Sequence, residues 1–152
     1  MHRLFERFVL GYFQRKYPNL KAGASHIDWI VDDGFADFLP RMKTDITLRR
    51  GEETLIIDTK YYGNTMQKNP QFDKATLISG HLYQIFTYVK NKDTNNTGNV
   101  SGVLLYAKTE EEITPDNEYR MSGNRISVKT LDLSGEWEEI RSQLDGIAAM
   151  LL

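Results

Sequence analysis

"TLIIDTKYY", residues 54–62, decides how the rest of the chain is read. Leu55, Ile56 and Ile57 form an apolar run of the kind found in a strand buried on both faces. Asp58 and Lys60 follow two positions apart, so on a strand they project from the same face. A carboxylate and an ammonium at the end of a core strand form either a structural ion pair or part of a site. The sequence on either side bears on which.

Upstream, "RMKTDITL" (41–48) alternates as a strand with Met42, Thr44, Ile46 and Leu48 on one face and Lys43, Asp45 and Thr47 on the other. Arg50-Gly51-Glu52 reads as a hairpin turn joining it to 53–62. Residues 24–33 alternate around Ile27, Trp29 and Val31 as an earlier strand, with a loop over 34–40. Residues 3–17 carry Leu4, Phe5, Phe8, Val9 and Phe13 at helical spacing, and Tyr17-Pro18-Asn19 ends that helix.

Downstream, 63–72 is rich in turn formers and reads as a loop. A helix is expected from about 73 to 90, with Ile78, Leu82, Ile85 and Val89 as its core stripe and His81, Gln84 and Tyr88 beside it. A loop over 93–99, strands over 101–108 and 125–133, and a helix over 134–152 capped by Ser134 complete the chain. The expectation is one mixed α/β domain over residues 1–152, in the order α-β-β-β-α-β-β-α.

Composition narrows the chemistry. The chain has 152 residues, 40% hydrophobic and 26% charged, which fits one soluble globular domain. It has no cysteine, which removes disulfides, thiol nucleophiles and cysteine-bound zinc. No apolar run reaches the roughly 18 residues that cross a bilayer, and the charged N-terminus has no secretory pattern. A cytoplasmic protein without a membrane partner is expected. Residues 1–108 hold 15 Lys and Arg against 11 Asp and Glu, whereas 109–152 hold 4 against 10. The first part offers a locally basic surface, too weak to imply tight DNA binding without help.

Asp45 and Asp58 lie on consecutive strands joined by a tight turn, so antiparallel pairing brings both carboxylates to one edge of the sheet. Hydrolysis of a phosphodiester uses divalent cations held by such oxygen ligands. Lys60 can then approach the attacking water or the charge developing on the phosphate. The backbone carbonyl of Thr59 is a further candidate ligand.

"TD" (44–45), twelve residues, then "DTK" (58–60) resembles the active-site signature of the PD-(D/E)XK nuclease superfamily. That resemblance implies a restriction-endonuclease-like αβββαβ core, a mixed sheet flanked by helices, extended here by a C-terminal strand and helix. It implies Mg²⁺-dependent DNA hydrolysis, with Mn²⁺ as a substitute, and a catalytic set of Asp45, Asp58 and Lys60. Thr44 stands where many members have proline. "QIFTY" (84–88) matches the QxxxY element of RecB-like nucleases, whose Gln and Tyr, here Gln84 and Tyr88, touch DNA or buttress the lysine. Glu6, in "LFERF", sits where several members place an extra acidic ligand, and Lys43 is a candidate phosphate contact.

The run from "LFERFV" through "LYQIFTYV" is similar to the C-terminal nuclease region of McrC, the cleavage subunit of McrBC-type restriction systems that act on modified DNA. The similarity covers residues 3–108. It implies double-stranded DNA as substrate and an AAA+ GTPase of the McrB type as partner. No G-x-x-x-x-G-K-[ST] loop occurs here, so the chain does not supply that NTPase. Cutting both strands needs two active sites or two successive nicks, so a homo-oligomer is one expectation. Two other readings stay open: another RecB-like nuclease, such as an exonuclease in repair or defence, and an inactive module that binds DNA or a partner. His26 and His81 read as bystanders, Tyr61 and Tyr62 as packing and rim residues, and Glu110 to Glu112 as a solvated turn.

Overall fold

The computed structural model describes residues 2–61, 66–69, 74–108 and 114–152. Tyr62 and the glutamates 110–112 lie outside the described residues. Helix α1 (His2–Lys16) opens the chain, and a 3-10 turn follows at Pro18–Leu20. Strands β1 (His26–Ile27) and β2 (Met42–Lys43) form a small antiparallel pair. Strands β3 (Ile46–Arg50) and β4 (Glu53–Lys60) form a hairpin whose Gly51 has φ +59°, a conformation that costs glycine least. Strands β5 (Met66–Asn69) and β6 (Lys74–Leu77) pair with each other. Then come α2 (Ser79–Lys92), β7 (Val100–Ala107), β8 (Asn117–Met121), β9 (Asn124–Leu131) and α3 (Trp137–Ala148).

The main sheet has the order β3-β4-β7-β9-β8. β4, β7 and β9 are parallel, and the outer strands β3 and β8 run antiparallel to them. Parallel strands need both faces covered, and two apolar clusters cover them. On one face Phe5, Val9 and Phe13 of α1 and Ile140, Leu144 and Ile147 of α3 meet Leu55, Ile57, Val103 and Leu105. On the other, Ile85 and Val89 of α2 meet Ile56, Leu104, Tyr106, Ile126 and Val128. Tyr61 packs beside Phe5, its ring centroid 6.1 Å away, as expected of a packing residue.

Gly102 is where α2 comes closest to the sheet. A Cβ there would meet Ile85 Cγ1 at 2.7 Å and Val89 Cγ2 at 2.8 Å, both on fully buried side chains. Gly102→Ala is expected to cost about 1–3 kcal/mol by overpacking, read as a lower urea midpoint.

Several expected boundaries move. The strand over 24–33 shrinks to His26–Ile27, because the backbone beyond it finds partners outside a ladder. The Ile30 amide donates to Asn91 Oδ1 at 2.8 Å, and the Trp29 indole donates to the Pro40 carbonyl at 2.6 Å. The strand over 41–48 is broken at Thr44-Asp45, so Met42 joins the α2 cluster while Ile46 and Leu48 join the α1 cluster. Residues 66–69 within the expected loop are strand β5, and 74–77 are strand β6, so the helix expected from 73 begins at Ser79. Leu4 is 61% exposed and is not part of the α1 core stripe. Ser134 does not cap α3; its amide and hydroxyl both donate to Asp132 Oδ1, and α3 ends at Ala148. β8 adds an edge strand not anticipated between 109 and 124. No helix among the described residues is long and apolar enough to cross a membrane.

Candidate active site

β4 outruns its neighbour β3. The last β3 pair is Ile46 with Ile57, so Asp58, Thr59 and Lys60 extend beyond it while staying paired to Leu104, Leu105 and Tyr106 of β7. On the vacated edge Asp45 takes the place of a strand. Its Oδ2 accepts hydrogen bonds from the Thr59 amide at 2.8 Å and the Thr59 hydroxyl at 2.9 Å. The bend that aims Asp45 there is fixed by a buried hydroxyl network. Thr44 Oγ1 accepts from the Ser25 amide at 3.0 Å and lies 2.8 Å from Thr47 Oγ1. The Thr44 amide also donates to the Ser25 carbonyl at 2.8 Å, a bond that a proline at this position cannot make.

Helix α1 approaches from the other side of the same edge. His2 and Glu6 are four apart and share a helical face. With Asp45 they offer one nitrogen and two carboxylates whose ligand atoms all lie within 4.8 Å of one another. His2 Nε2 also lies 2.7 Å from the Thr59 carbonyl, which fixes the tautomer that donates from Nε2. The Thr59 carbonyl therefore accepts from a side chain here. His2 was missed in the sequence; its spacing to Glu6 was the available signal. Burial raises the Glu6 pKa, and the Asp45 charge adds to that, against opposing effects of His2, Lys43 and Arg3. Lys43 is exposed on β2, with its charge felt at Glu6.

Asp58 and Lys60 face the α2 side, 3% and 7% exposed. Lys60 Nζ lies 2.8 Å from Asp58 Oδ2 and donates to Gln84 Oε1 at 2.7 Å. Gln84 Nε2 donates to the Tyr88 hydroxyl at 3.1 Å. The glutamine and tyrosine of α2 thus hold the lysine. Burial raises the Asp58 carboxyl to about 6; Lys60 opposes the shift, and the Asp45 charge adds to it. His81 is nearer the site than a bystander would be. Its Nδ1 lies 2.8 Å from the Tyr106 hydroxyl, and burial followed by the Lys60 charge lowers its pKa. His26 is exposed on β1, opposite Lys43.

Glu6, Asp45 and His2 form one cluster of oxygen and nitrogen donors, with Asp58 close enough to feel the Asp45 charge, and this donor set fits a hard divalent cation. A five-stranded mixed sheet flanked by helices, with acids and a lysine at the end of β4, is a restriction-endonuclease-like core. Residues 1–107 match the family of McrBC 5-methylcytosine restriction system components, and the chain belongs to that family. Every site residue described above lies within the matched span. The chain is also 29% identical over 147 residues to the type IV methyl-directed restriction enzyme EcoKMcrBC of Escherichia coli strain K12. That alignment covers 95% of this chain and 41% of the relative, so the chain spans less than half of that protein's length.

Proposed function

We propose that this chain is the DNA-cleaving part of a McrBC-type restriction system, a Mg²⁺-dependent deoxyribonuclease of the PD-(D/E)XK type. Mn²⁺ substitutes, a separate GTPase brings modified double-stranded DNA, and the complex works in the cytoplasm. One observation carries this reading. Asp58 and Lys60 are both more than nine-tenths buried and are held beside Asp45 and Glu6 at one end of the sheet. Burying like-charged carboxylates together is costly, and such costs concentrate at functional sites.

Asp45, Asp58 and Glu6, with His2 beside them, would hold the cation. When bound, it supplies positive charge at the scissile phosphate and makes a water molecule more acidic. Lys60, tethered by Gln84, directs its ammonium toward the same space, where it stabilises charge developing on phosphate oxygens. Gln84 and Tyr88 limit the rotamers open to Lys60. Lys43 supplies an exposed cation for a neighbouring phosphate.

The test is cleavage of duplex DNA with Mg²⁺, with Mn²⁺ and with EDTA. Cutting is expected only with a divalent cation, and Lys60→Ala should reduce it at least about 100-fold with the fold retained. Full cutting in EDTA, or by Lys60→Ala, would refute the site. GTP-stimulated cutting in the presence of a GTPase encoded beside this chain separates the restriction reading from a free-standing nuclease.

A further inference from the structure

Two arginines sit together at the end of the sheet opposite Lys60, near the starts of β4 and β7. In the β8–β9 hairpin Arg120 pairs directly with Arg125. Like charges opposed across strands destabilise a pair by roughly 0.2–1 kcal/mol, so the arrangement calls for an anion. The protein supplies only part of one. Arg125 Nη1 lies 3.8 Å from Glu118 Oε1, and Nη2 donates to the Met150 carbonyl at 3.3 Å. Arg125 Nε is buried and has no acceptor. The exposed Arg120 guanidinium makes no hydrogen bond or ion pair with a described residue.

Both arginines line a cavity of about 230 Å³. Thr54, Asn99 and Ser101 add hydroxyl and amide groups to its wall, and Glu53 is the single carboxylate there. The lining residues carry two cations and one carboxylate, and Glu118, outside the lining, stands beside Arg125. Thr54 and Lys60 are six residues apart on β4, which places the cavity roughly 20 Å from the catalytic lysine. It is a separate site.

We propose that this cavity binds a phosphate oxyanion, with Arg120 and Arg125 as its principal contacts. Guanidinium forks match phosphate oxygens in pairs, and the exposed Arg120 beside the part-exposed Arg125 offers donors for that geometry. Thr54, Asn99 and Ser101 supply further hydrogen bonds. The phosphate can come from a nucleic-acid backbone or from a free phosphate ion, and the two sources share this chemistry.

The experiment titrates the whole chain with inorganic phosphate by calorimetry or NMR, then with a short DNA duplex in EDTA. Arg120→Gln is the informative variant, because Arg120 is exposed and its loss leaves the Arg125–Met150 contact in place. Half-saturation by phosphate is expected at about 1 mM or lower, weakened at least about 10-fold in Arg120→Gln. A parallel fall in duplex affinity, with the salt slope reduced by about 1, assigns the site to the DNA backbone. Weakened phosphate binding with unchanged duplex affinity assigns it to free phosphate. No phosphate binding by the unaltered chain, or equal binding by Arg120→Gln, overturns the proposal.

Discussion

Asp58→Asn is expected to abolish DNA cleavage, by about 1000-fold or more, and at the same time to raise thermal stability at pH 8. The two effects have one origin. Burial holds the Asp58 carboxyl at about 6 against its ordinary 3.8. The folded protein therefore binds this proton more tightly than the unfolded chain does. Its contribution to stability is complete below about pH 3.8 and is lost as pH rises through about 6. At pH 8 the ionised carboxylate destabilises the fold. A shift of about two units sets a ceiling of roughly 3 kcal/mol. Lys60 is already counted in that shift, and relaxation around the buried group leaves a gain of about 1–2 kcal/mol.

For a chain of this size that is a rise in Tm of about 2–8 °C. The gap between variant and parent should be near zero at pH 3.5, open between pH 4 and 6, and stay constant above pH 7. With Asp58 as one of the proposed ligands, added Mg²⁺ should stabilise the parent more than the variant, which keeps only His2, Glu6 and Asp45. A variant less stable than the parent at pH 8, or a gap independent of pH, would contradict this account of Asp58.

What could be read from the sequence follows the range of the interactions. The β3–β4 hairpin was legible because its apolar run, its Gly51 turn and its pairing are local. The approach of Asp45 to Asp58 followed from that hairpin. The bend at Thr44-Asp45 was not legible, because alternation continues through it from Met42 to Leu48. It is imposed by Gly23 and Ser25, whose bonds to Thr44 and Thr47 come from about twenty residues away. His2 was hidden for the same reason, since its contact with Thr59 spans 57 positions. β8 gave little signal because it is a five-residue edge strand exposed over most of its length, with Met121 its one partly buried residue. Gln84 was read correctly as a neighbour of the core stripe, but two outcomes remained open for it. Its bond to Lys60 is the contact that the buttress reading needs.

Asp93→Ala should be a strongly damaging polar change away from the candidate site, costing about 3 kcal/mol. Asp93 ends α2 and is 3% exposed. Its carboxylate accepts from the Thr97 amide and hydroxyl, both at 2.9 Å, from the Gly98 amide at 2.9 Å and from Asn124 Nδ2 at 3.0 Å. These bonds tie the loop after α2 to the start of β9. They hold the carboxyl at about 2 although burial pushes the other way. Truncation strands several buried donors at once, each worth about 1–3 kcal/mol when left unpaired, although Asn124 keeps its bond to the Val100 carbonyl. Here the pH sign is opposite to that of Asp58. A lowered carboxylate stabilises the fold above about pH 3.8, and that stability is lost as pH falls through about 2. The penalty of Asp93→Ala should therefore be full at pH 7 and shrink in acid, as read from urea midpoints at the two extremes. Because α2 also carries Gln84, cleavage should fall only where the variant unfolds and persist at temperatures well below its Tm. A variant with the parent's urea midpoint at pH 7 would show that these four bonds do not hold the end of α2 in place.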